Sequence, residues 1–119
     1  MTKLRVLLVD DEEDFVTTLA ERLTLRGIDT DVAFTGEGAL AKVGEKTPDV
    51  IILDVMMPGL SGLDVLRQTK EKSPNVPVIM LTGRGSTREG IEGMKQGAFD
   101  YLMKPIDIED LIEKINEAM

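Results

Sequence analysis

Residues 49–62, Asp49-Val-Ile-Ile-Leu-Asp54-Val-Met-Met-Pro58-Gly-Leu-Ser-Gly62, constrain the fold more than any other stretch of the chain. Val50 to Leu53 are apolar without a break, the run ends at Asp54, and Pro58, Gly59 and Gly62 follow it. An unbroken apolar run bounded by turn residues is the pattern of a strand buried on both faces, as in a parallel sheet covered by helices. A carboxylate at the last position of such a strand stands at the C-terminal rim of the sheet. In open α/β folds that rim is where ligands bind.

The same pattern recurs along the chain. Leu4 to Val9 form a first buried strand that stops at Asp10-Asp11-Glu12-Glu13-Asp14. Acidic residues at a helix start are favoured by capping and by the macrodipole. Phe15, Leu19 and Leu23, with Val16 and Ala20 beside them, form one helical face closed by Gly27. Ile28, Val32 and Phe34 mark a second strand, and Asp29 and Asp31 within it suggest a position near the sheet edge. Thr35-Gly36 opens a short helix with Ala39, Leu40 and Val43 on its face, and Pro48 leads into the strand at 50–54. Ser61 with Asp64 has the form of a capping box for a third helix, bearing Leu63 and Leu66 and running to about Lys72. Val78 to Leu81 give a fourth strand ending at Thr82, and Ser86 with Glu89 is expected to be the better of the two capping boxes. Ile91 and Met94 sit on the fourth helix and Gly97 stops it. Phe99 to Met103 form a short fifth strand ending in Lys104-Pro105. Asp107 caps the last helix, with Ile108, Leu111, Ile112 and Ile115 as its buried stripe. Strands and helices strictly alternate with short connections, which predicts a doubly wound, five-stranded parallel α/β domain over residues 1–119. The methionines are expected to fill the core.

Composition removes several functions. The net charge of -8 argues against direct nucleic-acid binding, which needs a surplus of Lys and Arg. The chain has no cysteine, so thiolate metal sites, disulfides and thiol nucleophiles are excluded. It has no histidine, which removes the commonest general base and any phosphohistidine carrier. The five-residue apolar stretch at the start is too short for a signal peptide, and no run approaches the ~18 apolar residues of a membrane span. A cytoplasmic, soluble domain with no membrane partner is the expectation.

Parallel topology brings all the strand ends to one rim. Asp10 and Asp11 end the first strand, Asp54 the third, Thr82 the fourth and Lys104 the fifth. Carboxylates this close repel by ~1 kcal/mol or more per pair even at high dielectric, so a divalent cation between them makes sense of the pattern. Oxygen donors without His or Cys favour Mg²⁺, with Mn²⁺ as the second choice. A carboxylate beside such an ion is a competent phosphoryl acceptor, and Lys104 and Thr82 supply a charge and a hydroxyl for the phosphoryl oxygens.

Four segments, Leu7-Leu-Val-Asp10-Asp11-Glu12, Leu53-Asp54-Val-Met-Met-Pro58-Gly-Leu-Ser-Gly62-Leu-Asp64, Leu81-Thr82-Gly83 and Gly97-Ala-Phe-Asp-Tyr101-Leu-Met-Lys104-Pro105, occur in this order. Together they make the chain similar, over essentially its whole length, to the receiver domain of bacterial two-component response regulators. The resemblance implies a flavodoxin-like strand order of 2-1-3-4-5, which a chemotaxis receiver exemplifies. It implies Asp54 as phosphoacceptor, Asp11 and Asp54 as side-chain Mg²⁺ ligands, Met56 as a ligand through its backbone carbonyl, and Asp10 as a ligand through water. It implies a switch pair of Thr82 and Tyr101, contact of Lys104 with the phosphoryl group, and a cis peptide at Lys104-Pro105. Met56 and Arg84 would tune the access of hydrolytic water. The implied partners are a histidine kinase or phosphotransfer protein and an output target on the face from Glu89 to Met119. A homodimer formed on phosphorylation would use the same face. The domain would be regulatory rather than an enzyme, catalysing only its own phosphorylation and dephosphorylation. The last helix ends the chain, so no output domain is expected within it.

Three other readings fit less well. An aspartyl-phosphate phosphatase of haloacid-dehalogenase type needs Asp-x-Asp, and Met56 holds the second position. A flavodoxin-type flavin carrier needs a phosphate loop after the first strand, where this chain has five consecutive acids. A degenerate receiver acting only as a docking module would not keep the acidic, Thr and Lys positions filled. The segment Gly83-Arg-Gly85-Ser86 lacks the spacing of a P-loop and reads as a turn and helix cap.

Overall fold

The computed structural model describes residues 4–83 and 86–119. Arg84, and with it part of the loop after Thr82, lies outside the described residues. Five strands alternate with five helices: β1 (Arg5–Val9), α1 (Glu13–Leu25), β2 (Asp29–Ala33), α2 (Gly36–Glu45), β3 (Val50–Asp54), α3 (Gly62–Lys72), β4 (Val78–Thr82), α4 (Thr87–Lys95), β5 (Asp100–Met103) and α5 (Ile108–Ala118). All the pairings are parallel and the sheet order is β2-β1-β3-β4-β5. Among the described residues no helix is long and apolar enough to cross a membrane.

The apolar runs explain the layers. Side chains alternate across a strand, so an uninterrupted apolar run serves both faces. Leu7, Val9, Ile51, Leu53, Val78 and Met80 join one core with Val43 of α2 and Val65 and Leu66 of α3. Val6, Leu8, Val50, Ile52, Ile79 and Leu81 join the other with Val16, Leu19 and Leu23 of α1 and Leu111 and Ile115 of α5. Every residue of β3 and of β4 is buried, whereas only Ala33 is buried in β2. The polar β2 is indeed an edge strand. Phe34 and Phe99 fall just outside their strands and are exposed, because β2 ends one residue before Phe34 and β5 begins one residue after Phe99.

Two expectations are corrected. Ser61 and Asp64 form the complete capping box, with both reciprocal bonds. Ser86 makes no capping bond to α4; its hydroxyl instead accepts from the Gly83 N–H at 2.7 Å and donates to the Gly83 carbonyl at 2.8 Å. A hydroxyl already committed to the loop that precedes it has nothing left for the helix. The methionines are not mainly core filler either: Met57 and Met80 are buried, while Met56, Met94, Met103 and Met119 are exposed. Sequence alone does not show which of these unbranched side chains lies under a helix.

Candidate functional site

Register sets the rim. Val9 lies beside Leu53 in β1 and β3, and Asp54 lies beside Leu81 in β3 and β4. Asp10, one residue past β1, is therefore level with Asp54. The Asp10 side chain is fully buried; its Oδ1 accepts from the Glu12 N–H at 2.9 Å and its backbone N–H donates to Ala33 at 3.1 Å. Asp54 is only 6% exposed, and its Oδ1 accepts from the Met56 N–H at 3.3 Å. Asp11 is exposed beside them. Carboxylate oxygens of Asp10, Asp11 and Asp54 all lie within 4.8 Å of one another.

Glycine makes the strand end possible. The chain turns at Gly59, whose φ of +74° suits glycine, and α3 then starts at Gly62 hard against the end of β3. A Cβ on Gly62 would overlap the Asp54 carbonyl oxygen. Any larger residue there would push α3 off the rim and move the segment that carries Asp54.

Lys104 reaches the same point from β5. Its backbone N–H donates to the Thr82 carbonyl at 2.7 Å, which seats it beside the end of β4. The Lys104–Pro105 peptide is cis. The ammonium lies 2.8 Å from Asp10 Oδ2, 2.8 Å from Glu12 Oε1 and 3.9 Å from Asp54 Oδ2. The contact with Asp10 Oδ2 is an ion pair without an aligned hydrogen bond. The Phe15 ring centroid is 4.7 Å from the same ammonium, within the range of a cation–π contact.

The charges compete. Burial above all, and then the Asp10 charge, push the Asp54 carboxyl up to about 6, against the opposing pull of Lys104 and the Met56 N–H. Burial of Lys104 works against its charge, but Asp10 and Glu12 more than offset it and raise its pKa above the ordinary value. One ammonium is thus shared among several carboxylates, and the set retains excess negative charge. Three clustered oxygen donors with excess charge fit a hard divalent cation, which would relieve the repulsion.

Asp10, Asp11, Asp54 and Lys104 are brought together as the sequence suggests. An open crevice of about 410 Å³ runs over them, lined by Asp11, Glu12, Asp54, Met56, Gly83, Ser86 and Lys104. Thr82 is buried below it, and its hydroxyl donates to the Leu102 carbonyl at 3.4 Å rather than to Asp54. Tyr101 lies outside the crevice, 42% exposed. Glu12, Phe15 and Ser86 line the site or hold its lysine without having been singled out from sequence. Glu12 read as part of an acidic helix start and Phe15 as core, and nothing local signals a partner 92 residues away for Glu12.

Comparison with known proteins converges on one family. The family model "Response regulator receiver domain" matches residues 6–116. Among curated proteins, response regulator MprA of Mycobacterium leprae is 39% identical over 116 residues, 98% of this chain and 51% of that protein. Transcriptional regulatory protein TrcR of Mycobacterium tuberculosis is 38% identical over 94% of this chain and 44% of its own length. The chain spans about half the length, or less, of these curated relatives. Among solved structures, a response regulator receiver domain protein from Clostridium thermocellum superimposes with a TM-score of 0.93 at 38% identity, covering 97% of this chain and 93% of that one.

Proposed function

This chain belongs to the response regulator receiver domain family, and on that premise we propose that Asp54 is its phosphoacceptor. The observation that carries the reading is the convergence at one rim of Asp54, two further carboxylates within 4.8 Å and the Lys104 ammonium at 3.9 Å. Asp54 stands at the open end of a buried strand, so its backbone is fixed while one face of the carboxylate looks into the crevice.

In the proposed step an Asp54 oxygen forms a bond to phosphorus as the donor's P–N bond breaks. The donor nitrogen, a phosphohistidine of a kinase or phosphotransfer protein, keeps the bonding electrons and takes a proton from water. Asp10, Asp11 and Asp54, with the Met56 carbonyl, would hold Mg²⁺, which when bound neutralises the carboxylates and draws charge from the phosphoryl oxygens. Lys104 then has a phosphoryl oxygen to pair with beside Asp54. Thr82 is the hydroxyl nearest this strand end from β4, and turning it from Leu102 towards the phosphoryl group would empty space below. An exposed Tyr101 ring has room to move inward as that happens. The switch face would run from Glu89 to Met119, carrying Ile91, Met94, Tyr101 and Met103 at the surface. A few kcal/mol between the two arrangements suffices for one phosphoryl group to shift the population.

Under this reading residues 1–119 act as one cytoplasmic regulatory module that turns over only its own phosphoryl group. It passes the signal to an output domain or partner, or to a second copy. The test is direct. Incubation with Mg²⁺ and acetyl phosphate adds one phosphate by intact mass, Asp54→Asn abolishes the gain, and chelation of the metal prevents it. Equal labelling of Asp54→Asn would overturn the assignment.

A further inference from the structure

Lys104 is already engaged. Its ammonium touches Asp10 and Glu12 at 2.8 Å each, while Asp54 is 3.9 Å away. The Phe15 ring closes another side at 4.7 Å. The two near carboxylates differ in how firmly they are held. Asp10 is wholly buried and tied to the Glu12 N–H. The Glu12 side chain is 63% exposed. Glu12 is also the N-cap residue of α1, yet it makes no side-chain capping bond, so the bond from Lys104 is the one hydrogen bond of its side chain among the described residues. An exposed ion pair of this kind is weak, and water replaces it readily.

We propose that Glu12 is a displaceable latch on Lys104. Its carboxylate occupies the position on the ammonium that an anionic phosphoryl oxygen must take. The latch therefore slows arrival of a phosphoryl group at Asp54 and hastens its loss. Asp10 steers Lys104 in both states, Phe15 limits its swing, and Glu12 leaves for solvent when the phosphoryl group arrives. Glu12 is a positioning residue, acting through Lys104, and its role rests on the reading of Asp54 as phosphoacceptor.

Glu13 provides the control, since it carries the same charge one residue on, is exposed, and is not an ion-pair partner of Lys104. Wild type, Glu12→Gln and Glu13→Gln are labelled with acetyl phosphate and Mg²⁺, and decay is followed by mass after the donor is removed. Glu12→Gln is expected to raise the labelling rate constant and lengthen the half-life, each about two- to fivefold, the range of a water-exposed ion pair. Glu13→Gln leaves both near the wild-type values. Equal effects of the two variants would mean plain charge removal, and slower labelling of Glu12→Gln would mean that Glu12 assists; either overturns the latch. A second measurement needs neither metal nor donor: ¹⁵N relaxation of the Lys104 ammonium should show a looser side chain in Glu12→Gln and no change in Glu13→Gln. An unchanged Lys104 in Glu12→Gln overturns the latch as well. Should wild type take up no phosphate, the phosphoacceptor reading fails, and the relaxation data still decide whether Glu12 holds Lys104.

Discussion

Helices α4 and α5 sit at the same end of the sheet and hold to it by opposite means. Helix α5 drives Ile108, Leu111 and Ile115 into a core shared with Ile79 and Leu81. The buried residues of α4 are Gly90 and Gly93, and its apolar Ile91 and Met94 are 53% and 39% exposed. A Cβ on Gly90 would lie 2.9 Å from Thr82 Cγ2, and one on Gly93 would lie 3.0 Å from Met80 Cε. One helix is anchored by apolar area withdrawn from water, at ~25 cal/mol per Å². The other is set by how closely its backbone approaches β4. Burial of side chains makes a helix hard to move, whereas close approach ties its position to the residue beneath it. For α4 that residue is Thr82, one of the proposed switch pair.

The largest effect should come from the anchored helix. Leu111→Ala removes a fully buried side chain and should cost about 2–5 kcal/mol in urea unfolding. A loss below ~1 kcal/mol would show that α5 is no better anchored than α4.

The next test contrasts the apolar floor under α5 with the charged rim beside α4. In metal-free protein the Asp54 carboxyl titrates near 6 instead of 3.8. A raised carboxyl pKa means that ionisation penalises the folded state. The penalty is absent below about pH 4, grows as the pH rises towards 6, and is complete above it. It amounts to at most ~3 kcal/mol, less whatever water at the rim screens. Asp54→Asn should therefore be more stable than wild type at pH 8 and equal to it at pH 4, by thermal melting in chelator. An equal gain at both values would refute the electrostatic cause.

A smaller effect tests close approach. Alanine for glycine within a helix ordinarily gains up to ~1 kcal/mol. At Gly90 the contact with Thr82 opposes it, so Gly90→Ala should lose about 0.5–2 kcal/mol. Gly44→Ala in α2, where a Cβ meets nothing within 4 Å, should gain up to ~1 kcal/mol. Gains at both sites would mean that α4 stands off the strand.

The smallest concerns an electrostatic tie that α5 has to β5. Lys114 lies 2.7 Å from Asp100. Burial acts to raise the Asp100 pKa, but its bonds to Lys114 and to the Tyr101 N–H dominate and lower it. The stabilisation is thus present above about pH 4 and lost as the pH falls through the lowered value. Lys114→Ala should depress the melting temperature slightly at pH 7 and not at all near pH 2. A depression that persists in acid would point to lost packing instead.

Much of this was legible in the chain. Val50–Leu53 and Val78–Leu81 are buried throughout, as unbroken apolar runs require, and the strand ends place Asp10, Asp54, Thr82 and Lys104 at one rim in any parallel order. Local chemistry was harder to rank. Ser61–Asp64 and Ser86–Glu89 look alike in sequence, and only the fold shows that the Ser86 hydroxyl is taken up by Gly83. Ile91 and Met94 resemble core positions until the helix is seen to approach through its glycines.

What the sequence determined by itself was the alternation of elements and the residue type at each strand end, since both follow from periodicity and turn chemistry within a few neighbours. What only the tertiary structure decided was who holds whom at the rim. Lys104 pairs with Asp10 and Glu12 more closely than with Asp54, and Phe15 lies against it, because separate crossovers bring those side chains to one point. Contacts made across some ninety residues of chain leave no local pattern to read.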